Sequence, residues 1–380
     1  MSGVGACPGS GDPVVDVACA PFALELTRPW RTARGLYSHR RGWLVRMRTA
    51  RGRSGYGECA PLPDMGMESL AQARRILPRV LRTCLGRGGH GLQTIPLPQG
   101  LAPAVVCAVD TAFLDLRAQA MGLPLALCLN PNADGVVGVN AVLGAVDSEL
   151  GARAESAISA GFRVLKLKLG TGPAEEERVA VTALCQRLPR GLRLRLDANG
   201  AWSPGQALEI LQSLRHLPVD AVEEPLRHPD PQSMRWLQME LPWPIALDES
   251  LGRRDWRLPD GHFPCRRIVL KAPLLGGLGN GLSLAAEAYE DGVEVVVSTA
   301  LDAAVGRLAA LHLAAALGRP AVHGLATGGV LRQDVGLAPD PSYGAMAVPD
   351  VPGLGFRPPP GLPFTALPAV EDEAWELPLP

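Results

Sequence analysis

Short apolar runs recur along the second half of the chain, and each closes on a charged residue. VLKLK ends at Lys168, LRLRLD at Asp197, VDAVE at Glu223, PIALD at Asp248 and RIVLK at Lys271, at intervals of 29, 26, 25 and 23 residues. Runs of this length, rich in Val, Ile and Leu, read as buried strands, and each interval leaves room for one helix, so the period is that of a β/α unit. EVVVSTA ending near Ser298, PAVHGLAT near His323 and VGVNAVLGA around Asn140 bring the number of runs to eight. Strands joined by crossover helices form parallel sheets. Eight such units predict a closed barrel whose strand ends, with their charges, converge on one mouth.

The first third has a different rhythm. FALELTR, GWLVRMRTA and SGYGECA alternate as strands of a small antiparallel sheet, and helical spacing follows across 68–85 and 103–121. The polar segment RTARGLYSHRRG, between the first two strands, is expected to be a mobile lid. Its Arg34, Tyr37, His39, Arg40 and Arg41 are candidates for contact with an acidic substrate. The expected organisation is a loose tail over 1–20, an α+β capping domain over 21–130, a barrel over 131–330, and a Pro/Gly-rich segment over 331–380 that returns to the cap or is partly disordered.

Composition narrows the function classes. Thirty-seven Lys and Arg against 38 Asp and Glu give a formal charge of −1 with no basic stripe, which argues against nucleic acid and anionic membranes as partners. No apolar stretch is long enough to span a bilayer, and the N-terminus has neither a basic start nor an apolar core, so a cytoplasmic location is expected. The sequence assigns no oligomeric state. The eight cysteines, at 7, 19, 59, 84, 107, 128, 185 and 265, form no CxxC pair and are read as structural.

The chemistry is carried by the strand ends. Alternation puts Lys166 and Lys168 on one face of their strand, and Asp197 and Asn199 on one face of the next. Two ammonium groups side by side disfavour each other's protonation, which is one route to a lysine that acts as a base near neutral pH. Asp197, the VEEP carboxylate and Asp248 end consecutive strands. Three such groups on one arc of the rim repel unless a cation sits among them. Oxygen-only ligands and the absence of His from these ends favour Mg2+, with Mn2+ as a substitute, over zinc. The strand argument leaves Glu223 and Glu224 both open. Lys271, four units on from Lys168, lies across the mouth, so a small-molecule carboxylate bound between them would have an ammonium on each face.

KLK, DAN, EEP, LDES and LKAP, in this order and spacing, resemble the enolase superfamily, in its muconate-lactonizing-enzyme-like subgroup, over nearly the whole chain. The resemblance implies an α/β fold, a modified (β/α)7β TIM barrel under an N-terminal α+β cap. It implies Mg2+ held by Asp197, Glu223 and Asp248, with Lys168 and Lys271 as the acid/base pair, Lys166 in support, and Glu249 and Arg195 as helpers at most. Within that branch VNAVLG, STALDAAVGR and HGLATGGVLRQDV are most similar to the o-succinylbenzoate synthases of menaquinone and phylloquinone biosynthesis. That similarity implies syn loss of water from 2-succinyl-6-hydroxy-2,4-cyclohexadiene-1-carboxylate. Lys168 would take the proton, the metal would hold the enediolate, and Lys271 would stabilise it. Asn140, Asn199 and Ser298 are the candidate substrate contacts, and Asp302 with its two alanines departs from the family pattern after the seventh strand. N-acylamino acid racemisation is the alternative, muconate cycloisomerisation a third reading, and a non-catalytic ligand-binding barrel a minor one. Dipeptide epimerases usually carry an Asp-x-Asp pair after the eighth strand, and HGLATGG has none.

Overall fold

The structure is a computed structural model that describes residues 12–31, 36–88, 102–252, 256–367, 377 and 379–380. The cap begins with two long antiparallel strands, β1 (Val14–Arg31) and β2 (Leu36–Thr49), followed by β3 (Ser54–Cys59). β1 corrects the expected tail, because VVDVACA is already strand and only residues up to 13 precede it. It also corrects the expected lid. Trp30 pairs with Tyr37 and Arg31 with Leu36, so the two strands extend far into that segment, and residues 32–35 lie outside the described residues.

Two helices pack on the sheet, α1 (Leu70–Arg82), opened by a reciprocal Ser69/Gln72 capping box, and α2 (Pro103–Met121). α2 lies close against β3 because that strand presents glycines. A Cβ on Gly57 would fall 1.9 Å from the carbonyl oxygen of Ala108. After α3 (Leu125–Leu129) the barrel begins with β4 (Val136–Val139) and β5 (Ala141–Ala145). The single run expected around Asn140 is thus broken in two at Asn140.

The remaining units follow in order: α4 (Leu150–Ser159), β6 (Val164–Lys168), α5 (Ala174–Arg187), β7 (Arg193–Asp197), α6 (Pro204–Ser213), β8 (Val219–Glu223) and α7 (Pro231–Glu240). Then come β9 (Ile245–Leu247), β10 (Arg267–Leu270), α8 (Ala272–Leu275), α9 (Leu278–Glu290), β11 (Glu294–Val297), α10 (Ala304–Ala316) and β12 (Val322–His323). Strands β5 to β11 form one parallel sheet in sequence order. β12 closes it into a TIM barrel, pairing in parallel with β4 and joining β11 through the Ser298–Gly324 bridge. The interval between Asp248 and Lys271 departs from expectation. Between β9 and β10 the described residues contain only the 3-10 turn Glu249–Gly252 where a helix was predicted.

Beyond the barrel, β13 (Ala345–Ala347) adds antiparallel to β4, and β14 (Thr365–Ala366) pairs antiparallel with β1 at the edge of the cap sheet. No helix among the described residues is long and apolar enough to cross a membrane.

Candidate active site

The sheet register brings the charged ends together. Lys168 pairs with Asp197, and Asp197 with Glu223, in adjacent parallel strands, so their side chains stand in a row at the C-terminal rim. One oxygen from each of Asp197, Glu223 and Asp248 lies within 4.8 Å of the others, and all three residues are buried. The backbone decides between the two glutamates of VEEP. Glu223 ends β8 pointing into the barrel, whereas Glu224 adopts φ +40° and turns away. Its carboxylate accepts from the Asp248 N–H (2.9 Å) and from the Ser250 hydroxyl, and burial beside Glu249 pushes its pKa up to about 7.

The lysines differ in environment. Lys166 Nζ sits 2.8 Å from Asp197 Oδ2 and 2.5 Å from Glu223 Oε2. Burial opposes its charge, but Asp197 and Glu223 outweigh it and hold the pKa above the usual lysine range, so the mutual depression expected of KLK does not operate on this member. Lys168 Nζ donates to Asn199 Oδ1 at 2.5 Å and lies 3.8 Å from Asp197 and 5.3 Å from the centre of the Trp30 ring. Burial, assisted by the charges of Lys166 and Lys271, leaves Lys168 below the ordinary lysine value. Lys271 contacts Asp248 Oδ1 at 2.5 Å; burial works against its charge, yet Asp248 and Glu249 raise its pKa. Asp197 is raised by burial but lowered more by Lys166 and Lys168, ending below the carboxylate range.

The triad fits a hard divalent ion. Asp248 Oδ2 is buried without a hydrogen-bond partner, a costly state for a carboxylate oxygen that a cation would relieve. The three ligands offer oxygen alone, the donor set of Mg2+, which keeps further positions for water or substrate.

A cleft of about 580 Å³, counting its open mouth, lies over these groups. The barrel lines it with Lys166, Lys168, Asp197, Asn199, Glu249 and Lys271, and the cap contributes Trp30 and Met65. The three candidate substrate contacts also line it, with different freedom. Asn140 is committed internally: its Oδ1 accepts from Arg195 at 3.2 Å and its amide donates to the Ala141 carbonyl. Asn199 is held between Lys168 and Glu249 Oε1 (2.7 Å). Ser298 leans on the Gly324 carbonyl at 3.2 Å.

None of the described lid candidates lines the cleft. Arg40 is buried away from the cleft, Tyr37 donates to Asp64, and His39 and Arg41 are exposed; Arg34 lies outside the described residues. His323 is buried, with Nδ1 accepting from the Val297 N–H. Sequence reasoning missed Trp30, Met65, Thr299, Leu301 and Thr327 as lining residues. A lone tryptophan in the polar PWRT stretch was the one available signal among them.

Comparison with known proteins agrees with this geometry. The profile of the enolase C-terminal domain-like family matches residues 149–361, more than half of the chain, and a "MenC, N-terminal domain" profile matches residues 32–109. The chain therefore belongs to the enolase superfamily. Its relatives place it among the muconate-lactonizing-enzyme-like members. The o-succinylbenzoate synthase of Thermosynechococcus vestitus is 31% identical over 76% of this chain and 85% of that protein. The N-succinyl-L-Arg/Lys racemase of Bacillus cereus is 26% identical over 77% and 81%. A dipeptide epimerase of Enterococcus faecalis, crystallised with Mg and the dipeptide L-Leu-L-Tyr, superposes with a TM-score of 0.81 at 24% identity, over 90% of this chain and 99% of that one. The buried oxygen triad of this chain suits the same kind of ion, a hard divalent cation such as Mg2+.

Proposed function

We propose that the protein is an o-succinylbenzoate synthase, removing water from 2-succinyl-6-hydroxy-2,4-cyclohexadiene-1-carboxylate to give 2-succinylbenzoate. What supports this reading over the epimerases is the far wall of the cleft. Beyond strands β11 and β12 that wall is made of Ser298, Thr299, Leu301, Gly324 and Thr327, hydroxyls, backbone and apolar surface with, among the described residues, no carboxylate to hold a substrate ammonium. Such a lining suits a ring bearing a carboxylated side arm. The relative at 31% identity points the same way.

In this reading Asp197, Glu223 and Asp248 hold Mg2+, with Mn2+ as a substitute, which when bound supplies positive charge at the substrate carboxylate. Lys168, kept below the ordinary lysine pKa, removes the proton next to that carboxylate. Asn199 fixes the direction of its Nζ. Lys271, paired with Asp248 and retained as an ammonium, stabilises negative charge from the other side of the cleft. The Lys168 ammonium so formed then gives its proton to the hydroxyl on the same face, which leaves as water as the C–O bond breaks and the ring becomes aromatic. The same lysine pair could return a proton to the opposite face of an N-succinylamino acid, which makes racemisation the second reading, favoured by the resemblance to the Bacillus cereus racemase.

The test is formation of aromatic product by purified protein with Mg2+, with chelator, and by Lys168→Ala. Metal-dependent product that is lost in a folded Lys168→Ala variant is expected. Absence of product from folded, metal-loaded wild type would refute the reading and move the assay to N-succinylamino acid racemisation.

A further inference from the structure

Arg40 and Glu58 of the cap and Asp302 of the barrel meet in a buried cluster behind the cleft. Arg40, on β2, donates from Nε to the Leu301 carbonyl at 3.0 Å and from its two terminal nitrogens to the carbonyls of Pro61 (3.2 Å) and Ala60. Glu58, on β3, accepts from the backbone N–H groups of Ala303 and Gly306, both at 2.8 Å, at the start of α10. Asp302 accepts from the Ala300 N–H at 2.9 Å and lies 3.8 Å from the guanidinium. The packing is close enough that a Cβ on Gly306 would fall 2.7 Å from that of Asp302.

Two facts connect this cluster to the cleft. Leu301, whose carbonyl Arg40 holds, lines the cleft and adopts φ +57°, a left-handed conformation that a leucine keeps only when its surroundings impose it. Ala60 and Pro61, the other acceptors, lead into the turn Pro63–Met65, whose Met65 lines the cleft from the cap. One guanidinium therefore ties together two walls of the same cavity that belong to different parts of the fold. Neither Arg40 nor Glu58 lines the cleft itself, so their influence on a bound molecule passes through Leu301 and Met65.

We propose that Arg40 is a positioning residue that locks the Met65 wall of the cap to the Leu301 turn of the barrel and so sets the size of group that the cleft accepts. Glu58 and Asp302 fix the same turn from either side by holding its backbone N–H groups. The inference rests on this cleft being the substrate site, as proposed above. A planar, five-donor fork suits the task and lysine does not, because a single ammonium cannot reach three diverging carbonyls in fixed directions.

The test compares full-length wild type, Arg40→Lys and Arg40→Met by amide hydrogen exchange, Mg2+ calorimetry and steady-state kinetics with the cyclohexadiene substrate. Exchange is expected to rise about tenfold or more in segments 60–66 and 299–306 of both variants and to stay unchanged across β6 to β8. KM is expected to rise about tenfold, kcat to stay within about threefold, and Mg2+ affinity to be unaltered, since the metal ligands are untouched. A folded Arg40→Lys variant with unchanged exchange or unchanged KM overturns the proposal, as does a parallel fall in kcat and Mg2+ affinity. If wild type shows no turnover, the functional reading fails, and exchange alone then supports the clamp where both segments loosen or overturns it where they do not.

Discussion

Asn199 offers a sharp test of Lys168 as the base. It has φ +45°, a conformation that asparagine tolerates better than most residues, and its amide is engaged at both ends, accepting from Lys168 Nζ at 2.5 Å and donating to Glu249 Oε1 at 2.7 Å. A buried hydrogen bond to a charged group contributes about 1.5–3 kcal/mol, so losing it in Asn199→Ala should lower kcat/KM by about 10- to 150-fold if it holds the lysine in its reactive direction. The bond also favours the ammonium, so its removal should lower the Lys168 pKa further and move the acid limb of the kcat/KM profile to lower pH. Asn199→Asp keeps an acceptor on Lys168 but adds a negative charge, and should move that limb to higher pH. Steady-state rates across pH with saturating Mg2+ give both quantities. If the two substitutions shift the acid limb in the same direction, or if Asn199→Ala leaves kcat/KM within about threefold, Lys168 is not the titrating base that this geometry describes.

Two further outcomes follow from buried charges. His312 is locked neutral, Nδ1 accepting from the Ala126 N–H and Nε2–H donating to the Leu354 carbonyl, and burial lowers its pKa to about 4. With an unfolded value of about 6.5, the unfolded chain takes up the proton first, so this contribution is complete above about pH 6.5 and is lost as pH falls toward 4, reaching about 2 kcal/mol at pH 5. Urea unfolding should show His312→Gln to be less acid-sensitive than wild type by about that amount, and parallel curves would refute it. Lys166 contacts two of the metal ligands, so in Lys166→Met the loss of a competing ammonium should tighten Mg2+ binding by about tenfold or more while turnover falls; weaker binding by calorimetry would count against the assigned geometry.

Which parts of this architecture the sequence revealed follows from how local each cause is. Barrel strands ending on Lys168, Asp197 and Glu223, and the one that stops just before Lys271, were legible because each apolar run stops where the side chain meets the mouth. The choice of Glu223 over Glu224 was legible only through the family resemblance and not from the strand pattern, since it depends on the positive φ at Glu224 and on Ser250, which lies one strand further on. β1 began earlier than expected because Ala18, Cys19 and Ala20 are small, and their strand character comes from pairing with Arg46, Val45 and Leu44. That the described residues between β9 and β10 hold no α-helix was hidden by spacing, which measures chain length and not what fills it. Arg40 looked like a lid cation in a basic stretch, yet three of its acceptors are backbone carbonyls contributed by segments about 20 and 260 residues away, which no local pattern displays.

The charge count of the mouth gives the arrangement its logic. Five buried carboxylates, Asp197, Glu223, Glu224, Asp248 and Glu249, surround two buried lysines, Lys168 and Lys271, and the half-buried Lys166. With all ionised the deficit is two positive charges, which one divalent ion cancels. If Lys168 is the neutral base the deficit becomes three, and every remaining cation is pulled toward its charged form, as the raised pKa values of Lys166 and Lys271 show. Lys168 escapes because Asn199, not a carboxylate, is its nearest partner, while Lys166 and Lys271 each touch a metal ligand directly. The same set of charges thus favours the ammonium form of Lys166 and Lys271 and disfavours it at Lys168, which is the division of labour that the proposed synthase reading requires.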